Sequence, residues 1–156
     1  MEHPDEFYFK EAASEAKKAL CQRAKCGSVV VLNDEIIGRG YNAPPLNKTE
    51  NCQCESGYRD SPKPKSDRTC CMHAEWRSII DALKKQGDLA GAKLYFTRVD
   101  DSGDILFSGE PYCTVCSRLA LDTGIAEFGL WHESGIKMYK TDEYNRLSYE
   151  FHNHKA

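Results

Sequence analysis

The chain has no apolar run long enough to cross a bilayer, and its 156 residues carry no excess of positive charge. The first absence argues against a helical membrane span, which needs about 20 consecutive apolar residues. The second removes the global field that gathers polyphosphate, since 21 basic residues face 24 acidic ones for a formal net charge of -3. A small molecule is therefore the expected partner rather than a nucleic acid polymer. Met1 to Lys10 mixes acids with aromatics and lacks the charged and apolar regions of a signal peptide, so the expected location is cytoplasmic. No internal repeat is present, and the length suits a single domain over 1–156 with one core. Cysteine is absent from both ends of the chain, yet eight cysteines occur between them. They group as Cys21 and Cys26, then Cys52, Cys54, Cys70 and Cys71, then Cys113 and Cys116. In a reducing compartment that grouping favours metal ligands, catalytic groups or packed thiols over disulfides.

Periodicity orders the elements. Phe9, Ala12, Ala13, Ala16 and Leu20 share a helical face, with Pro4 ahead of a start near Asp5. Gly27 to Leu32, the turn Asn33-Asp34 and Glu35 to Asn42 read as a hairpin, and the run Ser28 to Val31 suits a strand buried on both faces. Residues 43–71 hold four prolines, several lysines and little apolar periodicity, which predicts a long loop. A helix is expected from Cys71 to Gln86 and a strand over Leu94 to Arg98. An excursion follows, returning through Ile105-Leu106-Phe107. A second helix from Cys113 to Thr123 precedes strands at Ile125 to Trp131 and Ile136 to Tyr139. Thr141 starts a last helix, and 152–156 is expected to fray. The order α-β-β-α-β-α-β-β-α describes a layered α/β domain.

Two motifs carry chemistry. His73-Ala74-Glu75 opens one predicted helix, and Pro111-Tyr112-Cys113-Thr114-Val115-Cys116 opens another. Cysteines three apart at a helix start put both sulfurs on one side of the first turn. The free amides there favour thiolates. One imidazole and two thiolates with an open fourth position suit a catalytic zinc, whereas a structural zinc is normally closed by four protein ligands. Glu75 is the spare carboxylate that can handle protons of an activated water. Either motif alone has blander readings: a redox pair, half a structural site, or chance. Together and in this order they point to His73, Cys113 and Cys116 as zinc ligands and Glu75 as the catalytic acid and base. Cys52, Cys54, Cys70 and Cys71, with Cys21, are candidates for a second, structural zinc that would pin the long loop, the alternative being packed thiols.

The H-x-E followed by a proline-led C-x-x-C resembles the zinc-dependent cytidine and deoxycytidylate deaminase superfamily. Cys26 to Val31, Ile36 to Asn42 with Pro44-Pro45, Gly91 to Thr97, and Thr123-Gly124-Ile125 extend the resemblance over most of Phe7 to Tyr139, closest to the deoxycytidylate branch. The resemblance implies a three-layer α-β-α sandwich around a five-stranded mixed sheet. It also implies hydrolytic loss of ammonia from a cytosine-type nucleoside or nucleotide, with deoxycytidine monophosphate the leading candidate. Asn42 would contact the sugar, the Ala74 backbone would lie against the ring, and the chain would assemble as a dimer or hexamer. Other aminated bases, and a non-catalytic zinc-stabilised module of the same fold, are the alternatives. The sequence departs from the family pattern in three places. Tyr112 separates the proline from the first cysteine. Arg77 stands where the deoxycytidylate branch usually has asparagine. The segment Arg98 to Glu110 is longer than usual. Arg77, and Lys63, Lys65 and Arg68 in the loop, are candidates to meet a phosphate, or else solvated cations.

Overall fold

The computed structural model of the chain describes residues 3–21, 23–52 and 69–155. Among them are helix α1 (Asp5–Ala16), the hairpin β1 (Lys25–Leu32) and β2 (Glu35–Tyr41), and helix α2 (Ala74–Lys85). Strands β3 (Lys93–Val99) and β4 (Ile105–Leu106), helix α3 (Thr114–Asp122), strands β5 (Glu127–His132) and β6 (Gly135–Lys140), and helix α4 (Thr141–Lys155) complete the fold.

The main sheet runs β2-β1-β3-β5-β6. All neighbours are antiparallel except β3 and β5, which pair in parallel at Lys93 to Tyr95. The short β4 pairs with the end of β3 through Arg98–Leu106 and Val99–Ile105, so the sheet has five main strands and a sixth off the main path. That sixth strand is the return of the long excursion after β3. Asn33 and Asp34, at φ 51° and 64°, supply the left-handed pair that a two-residue hairpin needs.

Alternation along the strands sorts the core into two faces. Val29, Val31 and Tyr95 pack with Tyr8, Phe9 and Ala12 of α1. Val30, Leu94, Phe128 and Leu130 pack on the other face with α2, α3 and α4. The result is the α-β-α sandwich expected from the resemblance, and the run Ser28 to Val31 is buried on both sides as the sequence implied. Close approach on each face depends on an absent side chain. A Cβ at Gly27 would strike the backbone of Ala12 and Ala16. One at Gly40 would lie 2.5 Å from Ala74 O and Ser78 N, so Gly40 lets the first turn of α2 rest directly on β2.

Two boundaries differ from the sequence reading. Helix α1 ends at Ala16 rather than Leu20, because the Leu20 N–H donates to Asn42 O at the end of β2. Helix α2 begins at Ala74 rather than Cys71, because Met72 forms a bridge with Ala43 that holds the chain extended. Within the loop, Pro45–Asn47 and Thr49–Asn51 form single 3-10 turns.

Candidate metal centre and active site

Both motifs sit where a helix leaves the sheet. His73 is the residue before α2, in extended conformation at φ -67° and ψ 147°, so its ring projects past the helix end. Glu75 lies in the first turn, where its carboxylate also meets the helix dipole. Helix α2 is pinned beneath them. The Ser78 hydroxyl donates to the Ser28 hydroxyl at 2.9 Å, and the Arg39 N–H donates to Asp81 Oδ2 at 2.9 Å. Cys113 caps α3, its sulfur accepting from the Cys116 N–H at 3.4 Å.

The parallel pairing of β3 with β5 brings the start of α3 beside the start of α2. His73 Nδ1 then stands 3.3 Å from Cys116 Sγ and 3.7 Å from Cys113 Sγ. All three donor atoms fall within 4.8 Å of one another. Tetrahedral zinc, with bonds of about 2.0 Å to nitrogen and 2.3 Å to sulfur, spaces a nitrogen and a sulfur by about 3.5 Å, so the imidazole fits both thiols. The sulfurs themselves are 2.6 Å apart, and a shared ion would spread them. One nitrogen and two soft sulfurs form a donor set suited to zinc. The His73 ring lies flat on Trp76, 3.9 Å between centroids and 3° between planes, which fixes its orientation.

Electrostatics separate the groups. Burial, reinforced by the Cys113 sulfur, lifts the Glu75 carboxyl to about 7, and Cys116 hydrogen-bonds to it. The Cys113 thiol falls to about 4, chiefly because Cys116 hydrogen-bonds to its sulfur. Burial pushes the Cys116 thiol up. A carboxyl titrating near neutrality beside three metal donors is placed to take up and release protons.

The remaining expected residues lie in different settings. Ala74 is fully buried between His73 and Glu75. Asn42 is buried, with Oδ1 accepting from the Cys26 N–H and Nδ2 donating to Ala24 O, both at 2.8 Å; one amide hydrogen remains for a ligand. Arg77 donates to Asn47 Oδ1 at 2.8 Å and to Tyr41 O at 3.3 Å, bracing the loop after β2. Tyr112 is half exposed and meets Phe151 of α4 at 5.9 Å; burial lifts its hydroxyl to about 12, helped by Glu75 and Cys113. Beside the segment entering Pro111 lies a shallow, open surface depression lined by Ser108, Glu110, His132 and Tyr139 among others. Of the second cysteine group, Cys52 and Cys70 have sulfurs 3.4 Å apart, and Cys71 hydrogen-bonds with Cys21 and Cys70. Cys54, Lys63, Lys65 and Arg68 lie outside the described residues. Sequence reasoning missed two side chains: Trp76 as the support for His73, and Tyr144, in the same packed cluster as Cys116. The stripe Tyr144, Leu147, Ser148 and Phe151 was the available signal for the second.

The model of the cytidine and deoxycytidylate deaminase zinc-binding region matches residues 2–130. The chain belongs to this deaminase family. Its members are hydrolases of carbon–nitrogen bonds, and the His73, Glu75, Cys113 and Cys116 arrangement is this deaminase's candidate active site. The deoxycytidylate deaminase of Mycobacterium phage D29 is 31% identical over 127 residues, 78% of this chain and 88% of the phage protein. The deoxycytidylate deaminase of Schizosaccharomyces pombe is 28% identical over 134 residues, 83% of this chain but 37% of that protein, so the chain spans little more than a third of the fungal relative. The crystal structure of dCMP deaminase from cyanophage S-TIM5 in complex with dCMP and dUMP overlays with a TM-score of 0.57 at 23% identity, covering 82% of each chain. The cytidine deaminase of Burkholderia pseudomallei gives 0.58 at 15% identity, covering 91% of this chain and 96% of that one. At these identities the structures speak for the shared fold. Among the described residues, no helix is long and apolar enough to cross a membrane.

Proposed function

We propose that residues 1–156 form a single zinc-dependent domain that hydrolyses the exocyclic amine of a cytosine-type nucleoside or nucleotide, with deoxycytidine monophosphate as substrate and deoxyuridine monophosphate and ammonia as products. The observation that carries this reading is the convergence of His73 Nδ1, Cys113 Sγ and Cys116 Sγ within 4.8 Å, with the Glu75 carboxyl hydrogen-bonded to Cys116. The phage D29 relative, named for that activity and matched over 88% of its length, supports the substrate.

His73, Cys113 and Cys116 would hold the ion. A zinc ion there supplies Lewis-acid activation of water for attack on the amine-bearing ring carbon. Glu75, its carboxyl raised by burial, would take a proton as water adds and deliver one to the departing amine. Asn42 offers its remaining amide hydrogen to the sugar, and Ala74 sets the floor beneath the ring. A net charge of -3 disfavours a polymeric substrate.

Cys21, Cys52, Cys70 and Cys71 support a second, structural zinc that clips the loop to the end of α1 and the start of α2, with Cys54 a further candidate ligand. The pairwise contacts Cys52–Cys70, Cys70–Cys71 and Cys71–Cys21 are the observation behind it, though among the described residues only His73, Cys113 and Cys116 converge as a metal-donor group. The same reading makes the protein a cytoplasmic homo-oligomer, a dimer or hexamer. The deciding experiment is ammonia release from a panel of cytosine, adenine and guanine nucleosides and nucleotides, with Glu75→Ala as control. Release from deoxycytidine monophosphate that Glu75→Ala abolishes is the expected result. No release from any compound would leave the non-catalytic module of the same fold.

A further inference from the structure

The loop after β2 takes an unfavourable shape to hold one side chain still. Leu46 and Asn47 in succession have left-handed backbone, φ 60° at each, a region that residues other than glycine rarely enter. Both ends of the Asn47 side chain secure it there. Nδ2 donates to the Tyr41 hydroxyl at 2.8 Å, and Oδ1 accepts from Arg77 Nη1 at 2.8 Å. Arg77 closes the ring of three. The same Nη1 donates to Tyr41 O at 3.3 Å, and the guanidinium lies over the Tyr41 ring, 5.3 Å from its centroid. A strand end, a loop and a helix thus fix the plane of one cation.

They fix its charge without neutralising it. Both acceptors are neutral, one a side-chain amide oxygen and one a peptide oxygen. Asp81, one turn along α2, accepts instead from the Arg39 N–H at 2.9 Å and from Lys85 Nζ at 3.0 Å. Among the described residues, no carboxylate pairs with Arg77. Nη1 commits its two hydrogens to the brace. Nε and Nη2 remain, and they are the forked edge that matches two oxygens of a phosphate. The brace also ties this group to the candidate site. Tyr41 O belongs to the peptide that leads into Asn42, the residue whose spare amide hydrogen is assigned to the sugar. Arg77 shares the first turn of α2 with Ala74 and Glu75, at the end of the helix whose free amides favour an anion.

We propose that Arg77 is a specificity-determining residue whose free Nε–Nη2 edge binds the phosphate of the substrate, so that the chain acts on deoxycytidine monophosphate in preference to deoxycytidine. The phosphate of such a nucleotide hangs from its sugar by a single carbon. A sugar held at Asn42 therefore sets the phosphate beside a guanidinium braced one peptide away. The inference rests on the deaminase reading and adds to it the group that separates nucleotide from nucleoside.

Arg77→Met keeps the aliphatic stem and deletes the fork. Two measurements on the full, zinc-loaded chain carry the test. One is kcat/KM for deoxycytidine monophosphate divided by that for deoxycytidine. The other is the rise in thermal midpoint produced by deoxyuridine monophosphate against that produced by deoxyuridine. We expect the parent to favour the monophosphate in both. Arg77→Met should lower the kcat/KM ratio about 10- to 100-fold, mostly through KM, and bring the two midpoint rises together. Arg77→Lys, which keeps the charge but not the fork, should fall between. Asn47→Ala frees the guanidinium without deleting it and should lower the ratio by a smaller factor. Added to Arg77→Met it should lower the ratio no further, because the brace acts only through the fork. A parent that treats nucleotide and nucleoside alike would overturn the proposal. So would an Arg77→Met variant, or Arg77→Lys should that chain fail to fold, that loses both activities in equal proportion, which would assign Arg77 to the loop alone. A parent that releases ammonia from neither compound would sink the deaminase reading, while the paired midpoint rises would still decide the role of Arg77.

Discussion

The proposed reaction asks two things of Glu75 that pull against each other. It is buried at the start of a helix next to two sulfurs, and in that reaction it would still gain and lose a proton. Burial answers this by raising its carboxyl to about 7. Replacing it with Gln keeps the shape and deletes the proton exchange, so kcat should fall about 10²- to 10⁴-fold while bound zinc, measured by metal analysis, stays at the parent level. His73→Ala should do the reverse of the second part and lower zinc content as well as activity, because a single lost ligand leaves two thiols to hold the ion. These residues were legible from the chain alone, since H-x-E and C-x-x-C are local spellings whose helix-start positions follow from periodicity. Trp76 was not legible in the same way, for it reads as an apolar position on a helix until its ring is found on His73.

At the scale of elements, the active site depends on how tightly α2 lies on the hairpin. Gly40 allows that contact, and Gly40→Ala would have to push Ala74 and Ser78 away by moving the turn that carries Glu75. The expected loss is about 1–3 kcal/mol in a denaturant titration, accompanied by a fall in kcat. The buried Ser28–Ser78 bond makes the same joint from the side chains. Ser28→Ala and Ser78→Ala should each destabilise by about 1–2 kcal/mol, and the double variant by less than their sum, because both single changes remove the same bond; Ser78→Ala also strands the buried Ser28 hydroxyl, whereas in Ser28→Ala the Ser78 hydroxyl keeps its bond to Glu75 O. Strand order within the hairpin, the buried face of α1 and the turn at Asn33-Asp34 were readable from alternation and turn chemistry. The ends of α1 and the start of α2 were not. They are set by backbone bonds to Asn42 and Ala43, residues far away in sequence. The apolar pattern continues past the point where those bonds take over.

At the scale of the whole molecule, the two proposed ions would tie together segments that the sheet already holds near one another. Metal analysis of the purified chain should give two zincs per polypeptide. Cys71→Ser should remove one of them and lower the thermal midpoint while leaving Glu75-dependent ammonia release measurable, since Cys71 is not among the donors around His73. A count of one zinc in the parent would remove the loop site and leave the catalytic one.

Sequence by itself determined the donor types, their spacing and their seats at two helix starts, together with the order of elements in a layered α/β domain. Those are matters of local pitch, polarity and turn chemistry, acting over a few residues. Tertiary structure alone decided that His73 meets Cys113 and Cys116 forty residues later, and that Cys21 meets Cys71. Such meetings come from strand pairing and helix packing over long separations, above all the parallel step from β3 to β5, and no short stretch of chain carries that geometry.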